Sequence, residues 1–359
     1  MPEKFETQVE IAMRQNELPV ARKDVEMQKK KKVDAFERKI QEMYEKRKET
    51  DPDISVNFFY GPHESATDVE TFKERFQQCD IFIPEQVGWD AKSLELMRTV
   101  SRGGIMQEQF NNLKAVNKEF NAAVLDLLYN SKKPIVFIDV PKEHKLSKEL
   151  AHLYQDFKIK FPRTSFDEMV AFMENFLRKD DVINRQREDY MLTRMKSAIQ
   201  TTIKEFPTLQ GRTKINILLT LGELHTRLYH ILDKTGLQTQ REFKEMPITF
   251  GIGAEIVRRY RFKKEVDRNL LVKATFEYLI GGEVERRISQ VTSNLEKLHL
   301  FMRKLIEKFN EDEMRELGNR SNESGSTDLF IQKAREKNIS FPQTEQELDE
   351  MIGWKEEKK

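Results

Sequence analysis

The chain has a single cysteine, Cys79, among 359 residues, so no internal disulfide can form. Cys79 stands late in a helical pattern, just before a short apolar run, and reads as a buried structural thiol. Net charge is nearly absent too: 62 Lys and Arg against 61 Asp and Glu leave +1, which gives no general attraction to nucleic acid or to an anionic membrane. No apolar run reaches the length of a membrane span, and the amino-terminal stretch (MPEKFETQVEIAMRQ) lacks the apolar segment of a secretory signal. A soluble, cytoplasmic protein is expected, and the glycosylation-type triplets at Asn319 and Asn322 then read as chance. No P-loop is present, and Gly251-Ile-Gly253 has neither the preceding strand nor the third glycine of a nucleotide fingerprint. His63-Glu64 lacks a second histidine one helical turn on, which excludes a zincin pair.

What the sequence does hold is a set of four apolar runs, each ending on a residue able to bind a metal or move a proton. Ile54–Tyr60 runs into Gly61-Pro62-His63-Glu64, and Ile81–Ile83 into Pro84-Glu85. Ile135–Ile138 runs into Asp139, and Ile215–Leu221 into Gly222-Glu223-Leu224-His225. Short β-rich runs separated by helical patterns predict parallel strands with crossover helices. In such sheets ligands bind beyond the carboxyl ends of the strands, so these residues are expected on one rim. The fold class expected is α/β: a central, mostly parallel sheet built from two related halves with flanking helices, plus long helical arms at both ends.

The organisation follows from the same patterns. Residues 1–50 read as a charged helical arm, with Val33, Phe36, Ile40 and Met43 as a short apolar seam, stopped by Asp51-Pro52-Asp53. Residues 51–235 read as the α/β core. Within it, Met169 to Phe176 mark one helix and 181–206 another. From 236 the strand signal fades, and 236–317 read as helical. One helix is expected over 265–280, ended by Gly281-Gly282, and a heptad helix over 283–309. Val284, Ile288, Val291, Leu295, Leu298, Met302, Leu305 and Phe309 form its seam, spaced by four and three. That seam is expected to pack against the helix around Val33–Met43, within the chain or across a homodimer. Residues 318–359 read as a flexible linker and tail.

The two runs that lead to a Gly and a His look like an internal duplication: strand, glycine for a sharp turn, histidine, then a helix with an apolar face. This favours His63 and His225 as functional over ordinary polar turn residues. Glu85 can ligate a metal or act as general base; the bland alternative is a solvated loop carboxylate. Asp139, before Val140-Pro141, reads as a turn cap. His144, His152 and His299 read as surface residues, and His230 faces away from His225. Arg187, in Arg-Glu-Asp-Tyr-Met191, is suited to grip a carboxylate or phosphate, against an ordinary ion pair on a charged helix.

Together these segments resemble the TraB/TIKI superfamily and its ChaN-like and erythromycin-esterase-like relatives. Gly222-Glu-Leu-His225 is similar to that group's second Gly-x-x-His motif, Glu85 to its acidic position, and Arg187 with Met191 to its arginine helix, with Glu188 where Asn or Asp is usual. The first motif departs, because Tyr60 stands where the glycine belongs. The resemblance implies a divalent metal ion between two related halves, with His63, Glu85 and His225 as ligands, Glu85 also as base, and Arg187 on substrate or developing charge. Two readings follow. One is a metal-dependent hydrolase, protease- or esterase-like, acting on a substrate that the sequence does not name. The other is a non-catalytic interaction protein that keeps the fold and works through its helical arms.

Overall fold

The computed structural model describes residues 31, 33–45, 51–61, 68–115, 119–161, 165–243, 251–321, 323 and 326–354. Strands β1 (Asp53–Tyr60), β2 (Ile81–Ile83), β3 (Lys214–Leu221) and β4 (Gln238–Phe243) form one sheet in the order β2-β3-β1-β4, with every pairing parallel. β1 and β3 pair in register from Asp53↔Lys214 to Tyr60↔Leu221, so their carboxyl ends are level. Both are apolar on consecutive residues because both faces of the sheet are covered. Val56, Phe58 and Tyr60 point into one core and Phe59 into another.

The Phe59 face is covered by α2 (Asp68–Gln78), α3 (Ala91–Ser101), α4 (Gln107–Ala115) and α5 (Glu119–Ser131). Phe72, Phe76 and Phe82 stack there edge to face, and Cys79 is buried beside them, as expected. The opposite face is covered by the helix over residues 33–45 (α1), by α8 (Thr226–Asp233) and by part of α7 (Phe166–Glu205). Helix α6 (Lys145–Lys160) packs on α7.

A third core is all helical. It joins the first half of α7 to α9 (Ile252–Arg261), α10 (Arg268–Ile288), α11 (Leu295–Ile306), α12 (Glu311–Asn319), α13 (Ser326–Glu336) and α14 (Glu345–Ile352). α7 is a single helix of 40 residues, about 60 Å long at 1.5 Å per residue. Phe166, Met169, Val170, Met173 and Leu177 sit in the helical core, and Met191, Leu192, Met195 and Ile199 in the sheet core. The expected break near residue 180 does not occur, since neither Gly nor Pro interrupts the chain there. The apolar stripe simply changes partner.

Other expectations are corrected. Ile135–Ile138 is buried and runs beside β2, but only as an extended segment with isolated parallel bridges, Phe82↔Ile135 and Trp89↔Pro141. Strand character returns after 236 in β4, a polar edge strand held by β1 on one side and by Arg75–Glu242, Nη2 to Oε1 at 2.9 Å. α10 continues through Gly281-Gly282, where an added Cβ would meet nothing. The heptad helix is two helices. α10 ends at Ile288, and Asn294 caps α11 by accepting from the backbone N–H groups of Glu296 and Lys297. The spacing survives because both helices face the same core. Residues 326–352 are not a loose tail, because Phe330, Ile331, Ala334, Leu348 and Ile352 are buried in it. Within the chain, Ile40 and Tyr44 of α1, with Phe36 and Met43, pack on the sheet instead of on the seam. No helix among the described residues is long and apolar enough to cross a membrane.

Candidate acid–base site at the strand ends

Three chain segments leave the level rim of the sheet side by side. After β2, Pro84 carries the chain to Glu85, whose N–H donates to Thr220 O of β3 at 2.9 Å. After β3, Gly222 opens a short 3-10 turn, Glu223–His225. The Gly222 N–H donates to Glu85 Oε2. A Cβ on Gly222 would stand 3.2 Å from that oxygen, so glycine is what lets the backbone come so close. The segment after Ile138 delivers Asp139, and α7 crosses above with Arg187 and Glu188.

His225 lies between two carboxylates. Nδ1 is 3.0 Å from Glu188 Oε1 and Nε2 is 3.1 Å from Glu85 Oε1. Arg187 donates from Nη2 to Glu85 Oε1 at 2.9 Å, from Nε and Nη2 to the two oxygens of Asp139 at 3.0 and 2.6 Å, and from Nη1 to Asn184 Oδ1 at 2.9 Å. Behind Glu188, Arg261 of α9 donates to Glu188 Oε1 at 3.0 Å and to the Leu224 carbonyl. Asp181 pairs with Arg261 at 3.4 Å and with Arg185 at 2.7 Å. Tyr60, at the end of β1, donates its hydroxyl to the His225 carbonyl at 3.4 Å.

Charges removed from water must be paired, and here they hold each other ionised. Burial would lower the His225 imidazole, but Glu85 and Glu188 outweigh it and push it up to about 9. Burial would raise Glu85, yet His225, Arg187 and the Gly222 N–H hold it well below the usual carboxylate range. Glu188 is lowered against the same desolvation by His225, Arg261 and Arg227. Asp180 and Asp181 go the other way, with burial raising both. The group that reaches solvent is Glu85, whose side chain is 20% exposed; His225 is 5% and Arg187 4% exposed, and Glu188 and Asp139 are closed off.

Of the residues expected from sequence, Glu85, Arg187 and His225 come together, and Asp139 joins them. Asp139 does cap its turn, accepting from the Val140 N–H at 2.7 Å, but it is also the main anchor of Arg187. Each Arg187 nitrogen donates to a protein acceptor, Asp139, Asn184 or Glu85. His63 lies outside the described residues. Glu188, Asn184 and Arg261 join the site without an expected role. Glu188 carried a signal in its place beside Arg187 on the arginine helix; Arg261, 73 residues from Glu188, carried none.

Among the described residues no group of three or more His, Cys, Asp or Glu side chains could hold a metal ion. Glu85 Oε1 and His225 Nε2 offer two facing donor atoms, which alone do not make a metal centre. A cation on that oxygen would sit beside the Arg187 guanidinium. No protein-family model matches the chain, and neither a curated protein nor a solved structure matches it.

Proposed function

We propose that this rim cluster is the catalytic centre of a hydrolase of TraB/TIKI type, protease- or esterase-like. The observation that carries the reading is the 3.1 Å contact between Glu85 and His225, with Glu85 as the solvent-reaching member of an otherwise closed network. Glu85 accepts the proton of an attacking water, and His225, oriented by Glu188, delivers a proton to the leaving group. Arg187 acts through Glu85, holding the carboxylate in place and ionised. Were a divalent metal ion bound, Glu85 and His225 with His63 would be the residues to hold it and it would supply Lewis acidity; His225 would then serve as ligand in place of proton donor.

The test is hydrolysis of p-nitrophenyl acetate and of casein by the purified chain, with and without a chelator, together with metal analysis. Glu85→Gln and His225→Asn are each expected to lose about 100-fold or more while circular dichroism stays unchanged, the size that loss of a general acid or base produces. His63→Ala is expected to lower bound metal. Turnover indifferent to both Glu85→Gln and His225→Asn sinks the proposal.

A second reading, a non-catalytic interaction protein working through its helical surface, is favoured by the closure of the network. Both His225 ring nitrogens and all three Arg187 nitrogens are engaged within the protein. A brace between strand ends and α7 needs no more than that. Absence of turnover on both substrates, with Glu85→Gln lowering only stability, selects this reading.

A further inference from the structure

Helix α9 is pinned to the helical core at its start and at its middle. The backbone N–H groups of Ile252 and Gly253 donate to Glu277 Oε2 of α10 at 2.7 and 3.3 Å. Arg303 of α11 donates to Glu255 Oε2 at 2.7 Å. Ile252, Ile256 and Val257 are buried among the helical-core side chains. The last residue of the helix, Arg261, reaches instead to the strand-end cluster, and its side chain has no exposed surface.

There the guanidinium is held on two sides, Nε by Asp181 at 3.4 Å and Nη1 by the Leu224 carbonyl in the turn that ends on His225. So held, Nη1 also meets Glu188 Oε1 at 3.0 Å, the same oxygen that faces His225 Nδ1 at 3.0 Å. Arg227 stands farther off, 3.5 Å from Glu188 Oε2, and pairs with Asp189 at 2.8 Å. Arg261 is thus the nearer cation of a carboxylate that is itself closed off from solvent. A histidine aims one ring nitrogen through the hydrogen bond made by the other, so whatever fixes Glu188 fixes where Nε2 points.

We infer that Arg261 is a positioning residue of the site: acting through Glu188, it keeps His225 Nε2 aimed at Glu85, and through α9 it makes the helical core a working part of the strand-end cluster. Its effect on turnover rests on the hydrolase reading; its effect on the imidazole does not.

The experiment uses full chains carrying isotope-labelled histidine: wild type, Arg261→Met, Glu188→Leu, the double variant and Glu277→Gln. NMR near neutral pH follows the hydrogen-bonded His225 Nδ1 proton, assigned by its loss in His225→Asn, and p-nitrophenyl acetate gives kcat and KM. Arg261→Met is expected to erase the Nδ1 signal and to lower kcat about tenfold or more, with KM changed less than about threefold. That variant strands the Glu188 charge in the interior, which can cost the fold. The double variant removes both charges, and its kcat is expected to match that of Glu188→Leu within about threefold, as for residues acting in one chain of contacts. Glu277→Gln loosens the other end of α9, and it is expected to lower the melting temperature while leaving the Nδ1 signal and kcat in place.

An Nδ1 signal that survives Arg261→Met overturns the inference. So does a double variant that loses a further tenfold or so beyond Glu188→Leu, or a Glu277→Gln that erases the signal as Arg261→Met does, since the signal would then follow only the stability of the helix. The Nδ1 proton is read without turnover, so a chain that hydrolyses nothing fails the hydrolase reading while the signal still decides on Arg261.

Discussion

Arg187 and Asp139 meet side by side in the interior, Nε to Oδ1 at 3.0 Å and Nη2 to Oδ2 at 2.6 Å, 48 residues apart in the chain. Each is costly to bury alone. Asp139→Ala should therefore lower stability by about 3–5 kcal/mol, the usual result of stripping one partner from a buried pair. Asp139→Leu combined with Arg187→Met should recover much of that loss. Urea unfolding of the three variants checks this, and an unchanged midpoint for Asp139→Ala would show that Arg187 is neutralised elsewhere.

The His225 imidazole should make stability depend on pH above neutrality. Its folded value, about 9, is raised from 6.5, so the folded protein holds the proton more tightly than the unfolded chain. The stabilisation is fully present below about pH 6.5 and is lost as pH rises through about 9; at 1.36 kcal/mol per unit it is on the order of 3 kcal/mol. Glu85 and Glu188, both lowered, work oppositely: their contribution is present above about pH 4.5 and is lost on acidification. Urea midpoints should hold from pH 5 to about 6.5 and then fall towards pH 9.5 for the wild type, and be nearly flat above neutrality for His225→Gln. Parallel curves would refute it.

Gly318, in α12, lies against the Phe166 ring at the start of α7, and a Cβ there would overlap that ring. Exposed helical glycines usually gain about 1 kcal/mol on change to alanine. Gly318→Ala should instead lose roughly 1–3 kcal/mol from overpacking. The sign of the shift in a thermal melt decides.

Leu348 of α14 is fully buried in the helical core. Leu348→Ala should cost about 2–5 kcal/mol, as buried leucines do. A surface tail would show less than about 0.5 kcal/mol in the same denaturant titration.

The parts of the fold visible in the sequence are those decided locally. β1, β2 and β3 carry consecutive apolar residues, such as Phe58–Tyr60 and Ile217–Leu219, because parallel strands bury both faces. β4 escapes notice because Gln238–Phe243 pairs on one side only and stays polar. The rim set Glu85, Asp139 and His225 was legible because topology alone brings strand ends together. The roles inside it were not. Whether Asp139 only caps a turn or also grips Arg187, and whether Glu188 or solvent holds His225 Nδ1, depends on where α7 crosses the rim, and crossings are set by packing far along the chain. The seam over Val284–Phe309 was real as an apolar surface and misleading as one helix, because Asn294 restarts the helix without disturbing the spacing.

The continuity of α7 has a consequence for how the molecule opens. Its turns around Arg187 and Glu188 are anchored upstream by Met173 and Leu177 in the helical core and downstream by Met191 and Met195 in the sheet core. Neither end can fray without first pulling apart a core. Amide protons of residues 184–192 should therefore exchange with deuterium only through whole-molecule unfolding, while those of the polar edge strand β4 exchange by local opening. The least exchangeable backbone in the protein would then lie directly beneath its most highly charged interior.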